Sequence, residues 1–136
     1  MHWKLILLLS LFGVAMGFLS VMGSTGAAEP FLWPIIGIVC ALIIAMKADR
    51  PFVNGFTTGL ICGAVAPLIQ TLLFTTYVAN NPWMTEEIKQ LPAGVSPRMV
   101  FAIQVPLIGL ISGLVLGLLS WLGRKVLSRR RQEITS

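Results

Sequence analysis

Gln70, Thr71, Thr75 and Gln104 are the side chains best placed to do chemistry, because each stands inside an otherwise apolar stretch. An amide or hydroxyl in such surroundings either finds a partner in the chain or offers its donors and acceptors to a solute. Pro67 and Pro106 flank the two glutamines, and a proline within a helix leaves one carbonyl without its usual N–H. Together these groups predict a polar recess lined by Gln70, Thr71, Thr75 and Gln104, with the freed carbonyls as extra acceptors. The alternative, in which the glutamines bond one another or nearby backbone, remains open on sequence grounds.

Other chemistries have little to work with. Cys40 and Cys62 fall in apolar runs with no histidine or acid beside them, which reads as two small buried hydrophobes rather than a metal site. The single histidine, His2, sits next to the initiator, so histidine acid–base catalysis and zinc ligation are not expected. Glu86 and Glu87 are adjacent in a polar segment, the pattern of a solvated surface. No nucleophile–base pair and no glycine-rich phosphate loop is present, so a non-enzymatic protein without cofactors is expected. The net charge of +5 lacks the aromatic interleaving of a nucleic-acid surface.

The elements that must position the glutamines are apolar to an extent that excludes an ordinary soluble domain: 56% of the 136 residues are hydrophobic and 11% charged. Four stretches, 5–28, 31–46, 52–77 and 99–122, contain no Lys or Arg and no Asp or Glu. Three of them exceed the roughly 20 residues that a bilayer core of about 30 Å requires of a helix, and the second falls somewhat short. The predicted fold is therefore all-α: a polytopic bundle of four transmembrane helices forming one domain over residues 1–136. An outer loop spans 78–98 and a basic tail spans 123–136. Lys4 and the small residues Gly26, Ala27 and Ala28 ahead of Glu29 also fit a cleaved secretory signal. Against this, the apolar run from Leu5 exceeds the usual signal core of about 7–15 residues.

Basic residues set an orientation. Lys4, Lys47, Arg50 and the cluster Arg124, Lys125, Arg129, Arg130 and Arg131 all fall on one side of such a bundle, which predicts cytoplasmic amino and carboxyl termini. Trp3 and Trp121 then lie at the inner headgroup level, and Trp33, Tyr77 and Trp83 at the outer one. The tail cluster would also draw anionic lipid headgroups. Within the outer loop, Met84, Ile88 and Leu91 recur at helical spacing between Pro82 and Pro92, predicting a short interfacial helix.

Small residues recur at every fourth position: Gly13 and Gly17, then Gly37 with Ala41 and Ala45, then Gly55, Gly59 and Gly63, then Gly109, Gly113 and Gly117. In a bilayer such ridges let helix backbones approach, which predicts helix packing and leaves faces for a second copy or another membrane protein. With the third and fourth stretches antiparallel, the glycines of both fall in the inner half and the proline–glutamine pairs in the outer half. At 1.5 Å per residue, Gln70 would lie about 10 Å and Gln104 about 8 Å below the outer ends of their helices, predicting a wedge that opens outward between them.

The Arg50-Pro51-Phe52 to Gly55 segment, the Asn81-Pro82 loop, Ser96-Pro97-Arg98 and the last glycine ladder resemble uncharacterised small four-helix membrane proteins of bacteria. That resemblance implies a bacterial inner membrane and no particular activity. Small four-helix multidrug exporters share the chain's length, but their embedded glutamate has no counterpart inside these four stretches. The run Phe56-Thr57-Thr58 faintly resembles a helix of the small fluoride channels, whose remaining pattern is absent. The functional expectation is a non-enzymatic membrane subunit or scaffold. The alternative is a channel or facilitator for a small neutral or weakly polar solute, using the recess near Gln70 and Gln104.

Overall fold

The computed structural model describes residues 1–136 and consists of helices and turns. α1 spans Trp3–Val21, followed by a 3₁₀ turn at Gly26–Ala28, α2 at Glu29–Lys47, α3 at Pro51–Leu72, α4 at Phe74–Asn80, α5 at Pro82–Lys89 and α6 at Pro97–Thr135. Four of these helical segments, Trp3–Val21, Gly26–Lys47, Pro51–Leu72 and Pro97–Thr135, are long and apolar enough to cross a membrane. Proline stands in the first turn of α2, α3, α5 and α6, where its missing N–H leaves no intrahelical bond unmade.

Several boundaries differ from those predicted, each for a local reason. The first stretch ends at Val21 rather than near residue 28, because Gly23 takes φ +73° and closes the helix. The N–H of Ser24 reaches the Leu19 carbonyl and that of Gly23 the Ser20 carbonyl, a paired arrangement that satisfies the last carbonyls of α1. α2 begins at Glu29 rather than Phe31, which brings a carboxylate into a helix expected to start beyond it. The third stretch does not run to Tyr77: Leu73 leaves helical geometry at φ −101°, ψ 34°, and α4 starts afresh. That break lets Asn81, at the end of α4, reach back to α1, where its Nδ2 donates to the Ser20 carbonyl at 2.9 Å and to the Tyr77 carbonyl at 2.8 Å. The basic tail is helical and continues α6, which is 39 residues long in all, or about 58 Å at 1.5 Å per residue.

The chain ends gather at one end of the bundle. The His2 backbone N–H donates to Asn54 Oδ1 at 2.9 Å, and Arg124 Nη1 donates to the carbonyls of Ala45 and Ala48 at 3.0 and 3.2 Å, capping α2. At the opposite, far end Arg98 Nε donates to the Thr71 carbonyl at 3.1 Å, tying α6 to the last turn of α3.

α3 lies centrally, with α6 on one side and α1 on another. A Cβ on Gly55 would stand 2.7 Å from the Leu116 carbonyl oxygen, one on Gly63 2.9 Å from that of Ile108, and one on Gly59 would strike the Ser112 carbonyl outright. From α6, Gly109, Gly113 and Gly117 rest on Leu60, Phe56 and Phe52 of α3. On the α1 side, Gly13 meets the Cys62 backbone and Gly17 that of Ala66. Gly37 departs from its predicted role: nothing lies within 4 Å of a Cβ added there, because this half of α2 stands away from the bundle. The terminal-end half of α2 packs instead, with Cys40, Ala41 and Ile44 buried together with Leu9 and Leu116. A second small core at the far end joins Val21, Tyr77, Met84 and Phe101.

Candidate functional site

Where α2 leans away, a recess of about 790 Å³ opens at the far end of the bundle. Gln70 and Gln104 both line it. The wedge is wider than one between α3 and α6 alone: Glu29, Pro30 and Trp33 of α2 form one wall, and Trp83, Met84, Glu87 and Ile88 of α5 form its rim. Tyr77 and Phe101 meet edge to face, with centroids 5.7 Å apart, and give the recess an aromatic side.

The two glutamines do not bond one another. Gln70 Nε2 donates to Ser20 Oγ at 2.9 Å, and the Ser20 hydroxyl donates onward to Glu29 Oε2 at 2.9 Å. Thr25 Oγ1 donates to the same carboxylate oxygen at 3.2 Å. Gln70 is thereby fixed in a chain of hydrogen bonds that ends on an acid, whereas the side chain of Gln104 has no partner in the protein and faces open space. Glu29 has hydroxyl partners but no basic residue opposite it, and Glu87 likewise stands free of any ion pair. Lys89 bonds Glu86 instead, at 2.9 Å. Tyr77 is buried beside this acidic pair; burial first and the Glu29 carboxylate second push its hydroxyl up to about 12, so it stays protonated at any ordinary pH.

Thr71 and Thr75 do not join the site. The Thr71 hydroxyl turns back onto the Pro67 carbonyl at 2.8 Å, a local bond open to any helical threonine. Thr75 is exposed, because the break at Leu73 re-aims α4. Pro67 and Pro106 both sit within continuous helices. Pro67 is buried, whereas Pro106 is exposed and borders neither cavity described here.

A second cavity of about 660 Å³ runs down between α2, α3 and α6. It shares Glu29, Pro30, Trp33 and Gln70 with the recess, so the two adjoin at that junction. Its walls are mostly apolar, among them Ile38, Ile111, Val115 and Leu119, and Gly37 and Pro67 also border it. Cys40 and Cys62 lie along it as free thiols, and no cluster of three or more potential ligands suits a metal ion.

Sequence reasoning missed Glu29, Ser20 and the aromatic wall. Glu29 reads in the sequence as a connecting residue because Pro30 marks a helix start beyond it, whereas α2 starts at Glu29 itself. Trp33, Tyr77 and Trp83 were all expected at one headgroup level, and that shared depth was the available signal that they could converge on one site.

The fold and site define a class, an all-helical protein with four membrane-length apolar helices and an acidic, aromatic recess at the end opposite its termini. No protein-family model matches the chain, and no curated protein or solved structure matches it either.

Proposed function

We propose that the chain is a multi-pass protein of a bacterial inner membrane, with both termini in the cytoplasm, acting as a non-enzymatic subunit that presents its recess to the outer side. The observation that carries this reading is a half-and-half build. At the far end a recess with a polar floor lies open, while toward the termini α3 meets α1 on one side and α6 on another, backbone to backbone. Such contact leaves no room for a solute along the faces that α3 shares with α1 and α6, and the groove between α2, α3 and α6 has mostly apolar walls, so the geometry favours binding over conduction of a polar solute. The apolar side chains exposed on every long helix, Leu7, Ile35, Leu68 and Leu110 among them, favour hydrocarbon or another membrane protein as their surroundings. Basic residues concentrated at the terminal end, with Lys125 stacked 4.7 Å above the Trp121 ring, favour an anionic inner leaflet there.

The test is to purify the protein in mild detergent, measure its mass, and cross-link it in native membranes. A subunit gives a defined oligomer or a recovered partner; a strictly monomeric species with no cross-linked neighbour refutes the reading. The second reading, a facilitator for a small neutral solute, draws on the unpartnered amide of Gln104 in the recess. Reconstituted vesicles separate the two: the subunit reading expects no solute flux above protein-free vesicles. A flux abolished in Gln70→Leu and Gln104→Leu variants would establish the facilitator.

A further inference from the structure

We infer that the recess and the groove below it form one binding site for a single-chain cationic amphiphile, with its ammonium head held at the far end and its alkyl chain lying between α2 and α6. The inference rests on the membrane-embedded reading above and specifies what its recess receives.

The head site follows from charge and ring placement. Glu29 and Glu87 both line the recess, and no lysine, arginine or histidine does. The nearby cations are committed elsewhere, Lys89 to Glu86 and Arg98 to the Thr71 carbonyl. Trp33, Tyr77, Trp83 and Phe101 supply four aromatic rings to the same cavity. Carboxylates without counter-charge beside several rings are the surroundings that a quaternary ammonium prefers, since the ring faces attract a cation whose methyl groups forgo hydrogen bonds. A volume of about 790 Å³ falls within the roughly 300–1,000 Å³ of ordinary ligand sites.

The chain site follows from adjacency. The lateral groove begins at Glu29, Trp33 and Gln70, where the recess ends, and becomes apolar as it descends past Ile38, Ile111 and Val115. Gly37 borders this groove with nothing within 4 Å of a would-be Cβ, so its lack of a side chain keeps the space open. Charge at the top and hydrocarbon below match an amphiphile better than a compact polar solute.

Calorimetric titration of the intact protein in maltoside micelles tests this, with protein-free micelles as the blank. The probes are octyltrimethylammonium, tetramethylammonium and octyl sulfate. Octyltrimethylammonium is expected to bind saturably, tetramethylammonium more weakly, and octyl sulfate not at all. Replacing both acids, Glu29→Gln with Glu87→Gln, is expected to weaken octyltrimethylammonium by about tenfold, the scale of one desolvated cation contact. Gly37→Leu fills the groove at a position where the fold has room; it is expected to remove the advantage of the octyl chain and leave tetramethylammonium binding unchanged. An unaltered melting temperature and elution volume for each variant keeps these comparisons free of misfolding. Equal binding of octyl sulfate, or indifference to the two acid substitutions, overturns the head site. An unchanged octyl preference in Gly37→Leu overturns the chain site. Each of these failures leaves the subunit reading standing, whereas recovery of the intact protein from the soluble fraction without detergent removes both.

Discussion

Glycines of one chemical type do different jobs here, and substitution separates them. At Gly59 an added methyl group would collide with the Ser112 backbone, which cannot swing aside as a side chain could. Gly59→Ala should therefore destabilise the bundle by about 1–3 kcal/mol, the usual range for overpacking. At Gly37 the same change meets open space, so Gly37→Ala should be neutral or stabilising by up to about 1 kcal/mol from helix propensity. Thermal unfolding in one detergent compares the pair directly. Thr58 and Ser120 invite the opposite substitution: both hydroxyl groups are fully buried and neither has a hydrogen-bond partner. Removing an unsatisfied buried hydroxyl relieves roughly 1–3 kcal/mol of desolvation, so Thr58→Val and Ser120→Ala should each raise the melting temperature.

Tyr77 adds a pH dependence at the same scale. The folded protein keeps its phenolic proton up to about 12, while the unfolded chain releases it near the ordinary value of 10.0. Above pH 10 the unfolded state thus binds fewer protons than the folded one, and stability declines as pH rises through that window. Tyr77→Phe should flatten this alkaline decline, measured by denaturant midpoints across the range.

At the scale of elements, the far end is tied by the junction of α4 and α5 with α1. Asn80 and Asn81 reach the carbonyls of Val21 and Ser20, and Gly23 turns beneath the Asn80 carbonyl with φ +73°. A side chain at Gly23 meets two obstacles, a left-handed backbone costing about 1–2 kcal/mol and the Asn80 carbonyl itself. Gly23→Ala should loosen α4 from α1 and so enlarge the recess mouth; hydrogen exchange of the Tyr77 and Asn81 amides should accelerate, while the amides of α3 keep their protection. Gly26 also has a positive φ, +45°, but a Cβ there meets nothing, so Gly26→Ala should show only the backbone penalty.

For the whole molecule, the separation of charges predicts a topology that labelling can test. A cysteine at Ser128, near the end of α6, should react with a membrane-impermeant maleimide only after the inner membrane is opened. One at Glu86 on α5 should react in cells whose inner membrane is intact. The reverse pattern would invert the orientation and place the recess toward the cytoplasm. The length of α6 agrees with a helix that continues past the bilayer, since its residues beyond Gly123 are exposed and include five of the basic side chains.

The one-dimensional pattern of residues carried much of this protein. Four apolar stretches of membrane length, prolines at helix starts, glycines at every fourth position and basic residues at alternate connections are local facts, legible because a helix repeats its chemistry along the chain. The depths read for Gln70 and Gln104 assume helix ends at Tyr77 and Met99, whereas α3 ends at Leu72 and α6 starts at Pro97, so packing rather than rise per residue brings both to the recess. Tertiary structure alone decided which groups meet. Glu29 entered the recess because Gly23 ended α1 early and α2 began at the acid; Thr75 left it because α3 broke at Leu73. Gly37 became the floor of a groove instead of a contact because α2 diverges from the bundle. A helix angle or a single break moves a side chain by many ångströms without altering the periodicity from which the helix was read, so the members of the site follow from packing and the spans follow from sequence.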